Sequence, residues 1–522
     1  MIEGVLTPGM PYNDFYYLVH ILLIKVYSYF FTSFPEIPWL SVFQYSYLLV
    51  SLFIILNIFS KYVLKFKNYL AVVILLIIFY SEQATTLICT NIGFLMSFSA
   101  LFALAYEFRH NKLTYKSRLF YNLFYVAGLF TRPEAAVLML FIVGLYYFLI
   151  LDQNKLITKF TNSIKLYLIP AIISVTVIIW FAHDISTSDA FYKKIEPDVE
   201  YELTTRNNIV SVNKMNSYID TMRYKAINKN MWGDATTNDA EFLRSLIDKE
   251  METRDYQYMM MNTWTLFFNA LLASKFLFLF NILIILFITL AGYVKKNKET
   301  LKMLLYHIII WMFFLFIGYK VKMTDTGMSV LLCSINILYV SFLFIVIDIK
   351  NNALQNIFLM LSLVFFLGHG TNLWFKSRSL NKFYIEQKNL KSEFDEIIQG
   401  KNIFLNSQSA SMILNAFKPF ESYKFNNYQS VVLFDIQHIS TVEPYRSYLQ
   451  AYCNCDPNHY GEFFKFVRKG GEENIFLMSA SYKDFLTEYL NVVHKIDIQW
   501  KLLYPANPDE KEAVRAYTIK QS

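Results

Sequence analysis

Carboxylates, tyrosines and isolated cations recur at the ends of apolar runs in this chain, where an ionisable group is costly and therefore informative. The amino-terminal stretch holds Glu3 and Asp14 with Tyr12, Phe15, Tyr16 and Tyr17. Rings beside a carboxylate suit a sugar: they stack on the apolar face of a pyranose while the acid takes a hydroxyl proton. An interfacial aromatic belt with Asp14 as a helix N-cap accounts for the same residues. A second stretch is Thr131-Arg132-Pro133-Glu134. Pro133 opens a helix and Glu134 favours its N-terminal dipole. A guanidinium at Arg132 can also grip a phosphate with two parallel hydrogen bonds. The third runs from Tyr319 to Gly327 and carries Lys320 and Lys322. These lysines either bind phosphate or snorkel from a helix end. The fourth holds Trp232-Gly233-Asp234 and Asn238-Asp239 ahead of an acidic-basic helix, with Asp239 as a cap or as the lining of a cleft. Glu82, in the run SEQATT, is a weaker fifth candidate.

Other chemistries have little support. No Walker A, H-E-x-x-H or G-x-S-x-G motif occurs, which leaves ATP-driven transport, zinc proteolysis and serine hydrolysis without a signature. His20, His183, His307 and His369 are scattered near apolar runs and show no ligand spacing. Four cysteines are too few for a disulfide framework. Cys453 and Cys455, with His459 nearby, lack a second ligand pair at zinc spacing, so no metal site is assigned.

The elements that must position these groups are membrane spans. Hydrophobic residues make up 55% of the chain, charged residues 17%, and the mean hydropathy is +0.32. A soluble domain carries about 25% charge. Apolar spans fall near 39–59, 68–80, 87–106, 119–131, 134–151, 166–182, 266–293, 303–319, 327–348 and 354–374, with an eleventh stretch at 15–34. Short spans such as 119–131 read as broken or re-entrant helices. Lysine and arginine crowd into alternate short loops. Lys61, Lys65 and Lys67, then Arg109 to Arg118, Lys155 to Lys165, Lys295 to Lys302 and Lys350 lie on one side. The opposite short loops hold only Arg132, Lys320 and Lys322. The basic side is cytoplasmic by the positive-inside rule. The net charge of +7 is therefore topogenic and dispersed, which argues against a nucleic-acid partner. The opening MIEGVLTPGMPYND is neither basic nor apolar, so no cleavable signal is visible.

The expected architecture is a polytopic α-helical membrane protein of about 10–11 spans. Residues 1–374 form the transmembrane part with a large outer loop at 183–264, and 375–522 form an extracytoplasmic α/β domain. The runs 401–407, 430–436, 474–480, 494–500 and 514–520 predict strands, and 481–491 a helix. No G-x-G-x-x-G places a nucleotide there.

The order of features resembles the GT-C glycosyltransferases, integral-membrane enzymes that use polyprenyl-phosphate sugars outside the cytoplasm. The segment from Gly9 to Leu56 looks like their first outer loop entering a span. AGLFTRPEAAVLML looks like their paired short helices. The polar loop before the last four spans and the outer carboxy-terminal domain also fit. Such enzymes begin with a helix followed by a loop bearing a catalytic Asp or Glu. Here no span precedes Met10-Pro11, so Asp14 and Glu3 are the catalytic acids the resemblance implies. Tyr12, Arg132, Glu134, Lys320, Lys322 and Asp239 are the implied substrate contacts. The implied reaction is an inverting single displacement in a bacterial inner membrane, from a polyprenyl-phosphate sugar donor to a glycan or glycolipid acceptor among the membrane lipids. A divalent cation (Mg or Mn) would share the phosphate charge. A polysaccharide polymerase and a lipid-linked glycan flippase are the alternative classes.

Overall fold

The computed structural model describes most of residues 23–188, 217–246 and 256–520; the longest stretches outside it are 1–22, 189–216, 247–255, 410–429, 436–449 and 505–513. Helices dominate: α1 (Trp39–Tyr62), α2 (Phe66–Thr85), α3 (Cys89–Arg109), α4 (Tyr115–Thr131), α5 (Pro133–Tyr146), α6 (Leu156–Ser188), α7 (Tyr218–Asn228), α8 (Tyr256–Ala273), α9 (Lys275–Lys295), α10 (Glu299–Lys320), α11 (Asp325–Ser341) and α12 (Asn352–Ile398). Nine of the described helices, all of these except α4, α7 and α8, are long and apolar enough to cross a membrane. The chain is thus a multi-pass helical membrane protein.

Helices that are apolar on every side belong in the middle of such a bundle. α3 and α11 occupy that place, buried along nearly their whole length. α3 takes α4 at close range because both present glycine: a Cβ on Gly93 would lie 2.6 Å from the Cβ of Arg132, and one on Gly128 2.6 Å from the Oγ of Ser97. Small residues let helix backbones approach where lipid offers no hydrophobic drive. The helix starts are capped locally. Thr114 and Ser117 form a reciprocal capping box on α4, and Asn351 Oδ1 accepts the Ala353 and Leu354 amides of α12.

One expected span differs from the structure. The run 266–293 is not one helix: α8 ends at Ala273, α9 begins at Lys275, and Ser274 between them donates its hydroxyl to the Asp325 carbonyl at 3.5 Å. Apolar residues flank the Ser274-Lys275 pair on both sides and hide the break in a hydropathy window. The 119–131 stretch forms α4, 17 residues long. At 1.5 Å per residue that is about 26 Å, short of a hydrocarbon core of about 30 Å. The stretch 15–34 lies mostly outside the described residues.

α12 has 47 residues, about 70 Å at the same rise. It is far longer than a bilayer needs and leads directly into a five-stranded sheet. The strands are β1 (Asn402–Asn406), β2 (Ser430–Asp435), β3 (Asn474–Ser479), β4 (Trp500–Tyr504) and β5 (Val514–Ile519), in the order β2-β1-β3-β5-β4. β1 pairs in parallel with β2 and β3, whereas β5 runs antiparallel to both β3 and β4. Helices α13 (Tyr460–Lys469) and α14 (Ala480–His494) pack on it. The strand expected at 494–500 is displaced. His494 belongs to α14, Lys495 closes that helix in the left-handed region at φ 59°, and pairing starts only at Trp500. Ile496 and Ile498 are buried at period two without a ladder, which is why the segment mimics a strand. Met222 and Ala226 of α7 join the same core, so part of the 183–264 loop packs on this sheet unit.

Candidate functional site

α2, α11 and α12 bring one polar cluster into the bundle. Glu82, in the last turn of α2, is 8% exposed. Its Oε1 accepts the Ser329 hydroxyl at 3.0 Å and its Oε2 meets His369 Nε2 at 2.8 Å. Gln83, the next residue, donates its Nε2 to Ser329 Oγ at 3.0 Å. Ser329 sits in the second turn of α11, and His369 is 2% exposed on α12. A carboxylate that accepts from both serine and imidazole fixes Nε2 as a donor. The opposite ring nitrogen, Nδ1, is buried with no hydrogen-bond partner among the described residues, as is Gln83 Oε1. A buried polar atom left unpaired costs about 1–3 kcal/mol, so it calls for a ligand or a role.

The imidazole is also the polar end of an apolar groove. It stacks on Phe365 with ring centroids 5.3 Å apart and lies 5.2 Å from Phe276. From there a cavity of about 200 Å³ runs between α9 and α12, past Phe280, Leu283 and Val364 to Phe287 and Phe358. Its flanks face outward: Leu279 is 53% and Val364 65% exposed. Gly368 lines the groove, and a Cβ there would meet no atom of the described residues within 4 Å. From Phe276 to Phe287 the groove is about 16 Å long at helical rise.

Arg132 is the extended residue between α4 and α5, with its amide on the Gly128 carbonyl and its own carbonyl on the Ala136 amide. Pro133 then starts α5, as expected of a residue with no amide hydrogen to lose. The structure brings Arg132 and Glu134 together: Nε lies 3.2 Å from Oε2. That leaves Nη1, which is buried without a hydrogen-bond partner among the described residues. Glu134 is two-thirds exposed, so the pair itself contributes little. Arg132, Glu82, the end of α10 at Lys320 and the start of α11 at Asp325 all fall at one end of the alternating helices. Lys320 closes α10, but nothing about its side chain is described. Glu3, Tyr12, Asp14, Asp239 and Lys322 lie outside the described residues.

A second buried carboxylate joins the loop to the sheet unit. Asp234 is fully buried; its Oδ2 accepts the Tyr489 hydroxyl at 2.6 Å, the Thr236 hydroxyl at 3.0 Å and His494 Nε2 at 2.5 Å. Its Oδ1 accepts the Thr236 amide at 3.2 Å. Burial, with the Asp234 charge next, pushes the Tyr489 hydroxyl well above the ordinary tyrosine range. Every oxygen here is satisfied from within the chain, the mark of a structural clasp. Cys453 and Cys455 are disulfide-bonded to each other, so neither serves as a metal thiolate. Among the described residues no group of three or more His, Cys, Asp or Glu could hold a metal ion.

Glu82 is legible in the sequence as a carboxylate beside a span. Its partner His369 is not, because 287 residues separate them and no spacing rule connects two helices across such a distance. His494 is likewise found only through its contact with Asp234. No family model, curated protein or solved structure matches the chain.

Proposed function

We propose that the chain is a membrane glycosyltransferase of the GT-C kind, which moves a sugar from a polyprenyl-phosphate donor to a cell-envelope glycan or glycolipid with inversion. The observation that carries this reading is the apolar groove between α9 and α12, which ends at the buried His369–Glu82 pair. A substrate with a long apolar tail and a polar reacting head fits such a site: the tail lies along the groove and the head meets the ionisable groups. A carboxylate inside the bundle is a functional candidate by default. In this reading Glu82 is the general base, alongside the acids Asp14 and Glu3 of the first segment. The acceptor oxygen attacks the anomeric carbon as the bond from that carbon to the phosphate oxygen breaks. The acceptor's proton passes to the carboxylate, and the electron pair leaves on the lipid phosphate. His369 and Ser329 orient the base through its two oxygens. Arg132, whose Nη1 has no partner among the described residues, offers a guanidinium to the phosphate. The described residues do not gather a cation site, so no step is assigned to a divalent metal.

The sheet unit and the 183–264 loop face away from the cytoplasm in this scheme. The basic loops support it, and so does the Cys453–Cys455 disulfide, because such bonds persist in oxidising compartments. The membrane is then the cell inner membrane. A second reading, a proton-coupled carrier of lipid-linked glycan, is favoured by the buried Glu82–His369 pair alone. The test is direct. Purified protein in lipid nanodiscs receives a radiolabelled polyprenyl-phosphate hexose and an envelope glycan acceptor. Label in the glycan supports the transferase, whereas label that crosses the bilayer still attached to its lipid supports the carrier.

A further inference from the structure

The outward face of α14 forms one wall of a polar cleft of about 600 Å³. Asp484, Thr487, Glu488 and Asn491 follow one another at helical spacing along that face, while Tyr482, Leu486, Tyr489 and Leu490 on the other side enter the core. Trp500, the first residue of β4, closes the cleft. Its indole nitrogen donates to Thr487 Oγ1 at 2.8 Å, and its ring meets Phe476 edge-on at 5.1 Å. The indole is therefore held rigid by two contacts, and its N–H is already used. What it offers to a ligand is an apolar surface.

The polar groups around it are planar and differently committed. Lys483 engages Asp484 at 2.6 Å. Glu488 accepts the hydroxyl of Tyr218 from α7, so the loop element borders the same cleft. The Asn491 side chain is exposed and offers both a donor and an acceptor. With two carboxylates against one lysine, the cleft repels phosphate and other anions. A rigid aromatic surface flanked by planar carboxylate and amide groups matches the two faces of a sugar ring: C–H groups on the indole, vicinal hydroxyls on the side-chain oxygens.

We infer that this cleft, between α14 and Trp500, binds a neutral or amino sugar and is the seat of the acceptor glycan. The inference deepens the transferase reading and rests on it for the word acceptor; sugar binding itself needs no transfer. Full-length protein in nanodiscs, labelled with 5-fluorotryptophan, is titrated with chitotetraose, maltotetraose, a glucosamine oligomer and, as the anionic control, a galacturonate oligomer. The Trp500 resonance is assigned from Trp500→Phe. It is expected to shift with at least one of the first three probes and not with the control. Asp484→Ala and Asn491→Ala, both at solvent-facing positions that leave the core intact, are each expected to weaken that binding about tenfold. A Trp500 resonance unmoved by all three neutral and amino probes overturns the inference, as does binding that both variants leave unchanged. Transfer is measured on the same samples. Binding without transfer in any condition rejects the enzymatic reading alone, whereas transfer to acceptor that is indifferent to both variants rejects the cleft alone.

Discussion

Replacing Glu82 should disable the protein in a way that its two partners can apportion. The carboxylate holds His369 Nε2 at 2.8 Å and the Ser329 hydroxyl at 3.0 Å. Hydrogen bonds to charged groups contribute about 1.5–3 kcal/mol in soluble proteins. Between membrane helices, measured couplings are smaller, about 0.6 kcal/mol on average and up to about 1.7. A charge-assisted bond at 2.8 Å belongs near the top of that range. We expect a Glu82→Gln, His369→Gln double-mutant cycle to show a coupling of about 1–2 kcal/mol, and a Glu82→Gln, Ser329→Ala cycle to show less. The Ser329 change also strands the Gln83 Nε2 donor, so part of its cost lies outside the pair. Unfolding in mild detergent, followed by cysteine accessibility against denaturant, supplies the four free energies of each cycle. The chemistry is read separately: Glu82→Gln keeps the shape of the side chain but removes the base, and should lower transfer about a hundredfold or more. Additive effects, with coupling under about 0.5 kcal/mol, would refute the pairing. Full transfer by Glu82→Gln would refute its role as the base.

Arg132→Ala should cut transfer about a hundredfold with little change in melting, since its Cβ, which packs on Gly93, is kept and its pair with exposed Glu134 is weak; the readout is donor turnover beside a thermal melt. Gly128→Ala pushes a methyl to 2.6 Å from Ser97 Oγ and 3.1 Å from Met96 Cβ, and should destabilise the α3–α4 contact by about 1–3 kcal/mol in the same melt. Gly368→Leu fills the α9–α12 groove without a clash at Cβ; KM for a long-chain donor should rise while a short-chain donor is spared. Tyr489 has its hydroxyl raised by burial and by Asp234, so its contribution is present below the unfolded-state value of about 10 and is lost as pH rises toward the folded value; the sheet unit should weaken above about pH 10, and Tyr489→Phe should flatten that slope in a pH series of melts.

Much of the helical frame is legible in the sequence because apolar length is a one-dimensional property. The run at 39–59 falls within α1, those at 87–106 and 327–348 overlap α3 and α11, and the strand signals at 401–407, 474–480 and 514–520 overlap β1, β3 and β5. The break at Ser274 is hard to see, since the Ser274-Lys275 pair sits among phenylalanines and leucines that hold up a hydropathy window. Ile496 and Ile498 alternate as a strand would, yet their neighbours supply no ladder. The site is less legible than the frame. Arg132 stands out because it is a cation on the wrong side of the charge bias. Glu82 is visible as an acid, but its meaning depends on Ser329 and His369, which only the packing of α2, α11 and α12 supplies. The groove is less visible still, because Phe280, Leu283, Phe358 and Phe365 are ordinary span residues until α9 and α12 lie side by side.

The central claim is that a sugar leaves a lipid phosphate at this bundle. The most direct measurement follows both products of one turnover in nanodiscs loaded with an α-linked polyprenyl-phosphate hexose and its glycan acceptor. Released polyprenyl phosphate is quantified by mass, and the new glycosidic bond is assigned by its anomeric proton coupling. We predict one polyprenyl phosphate per new bond, a β linkage, and loss of both products together in Glu82→Gln. A retained α linkage, or donor consumed by the Glu82→Gln protein as fast as by the parent, would contradict the account.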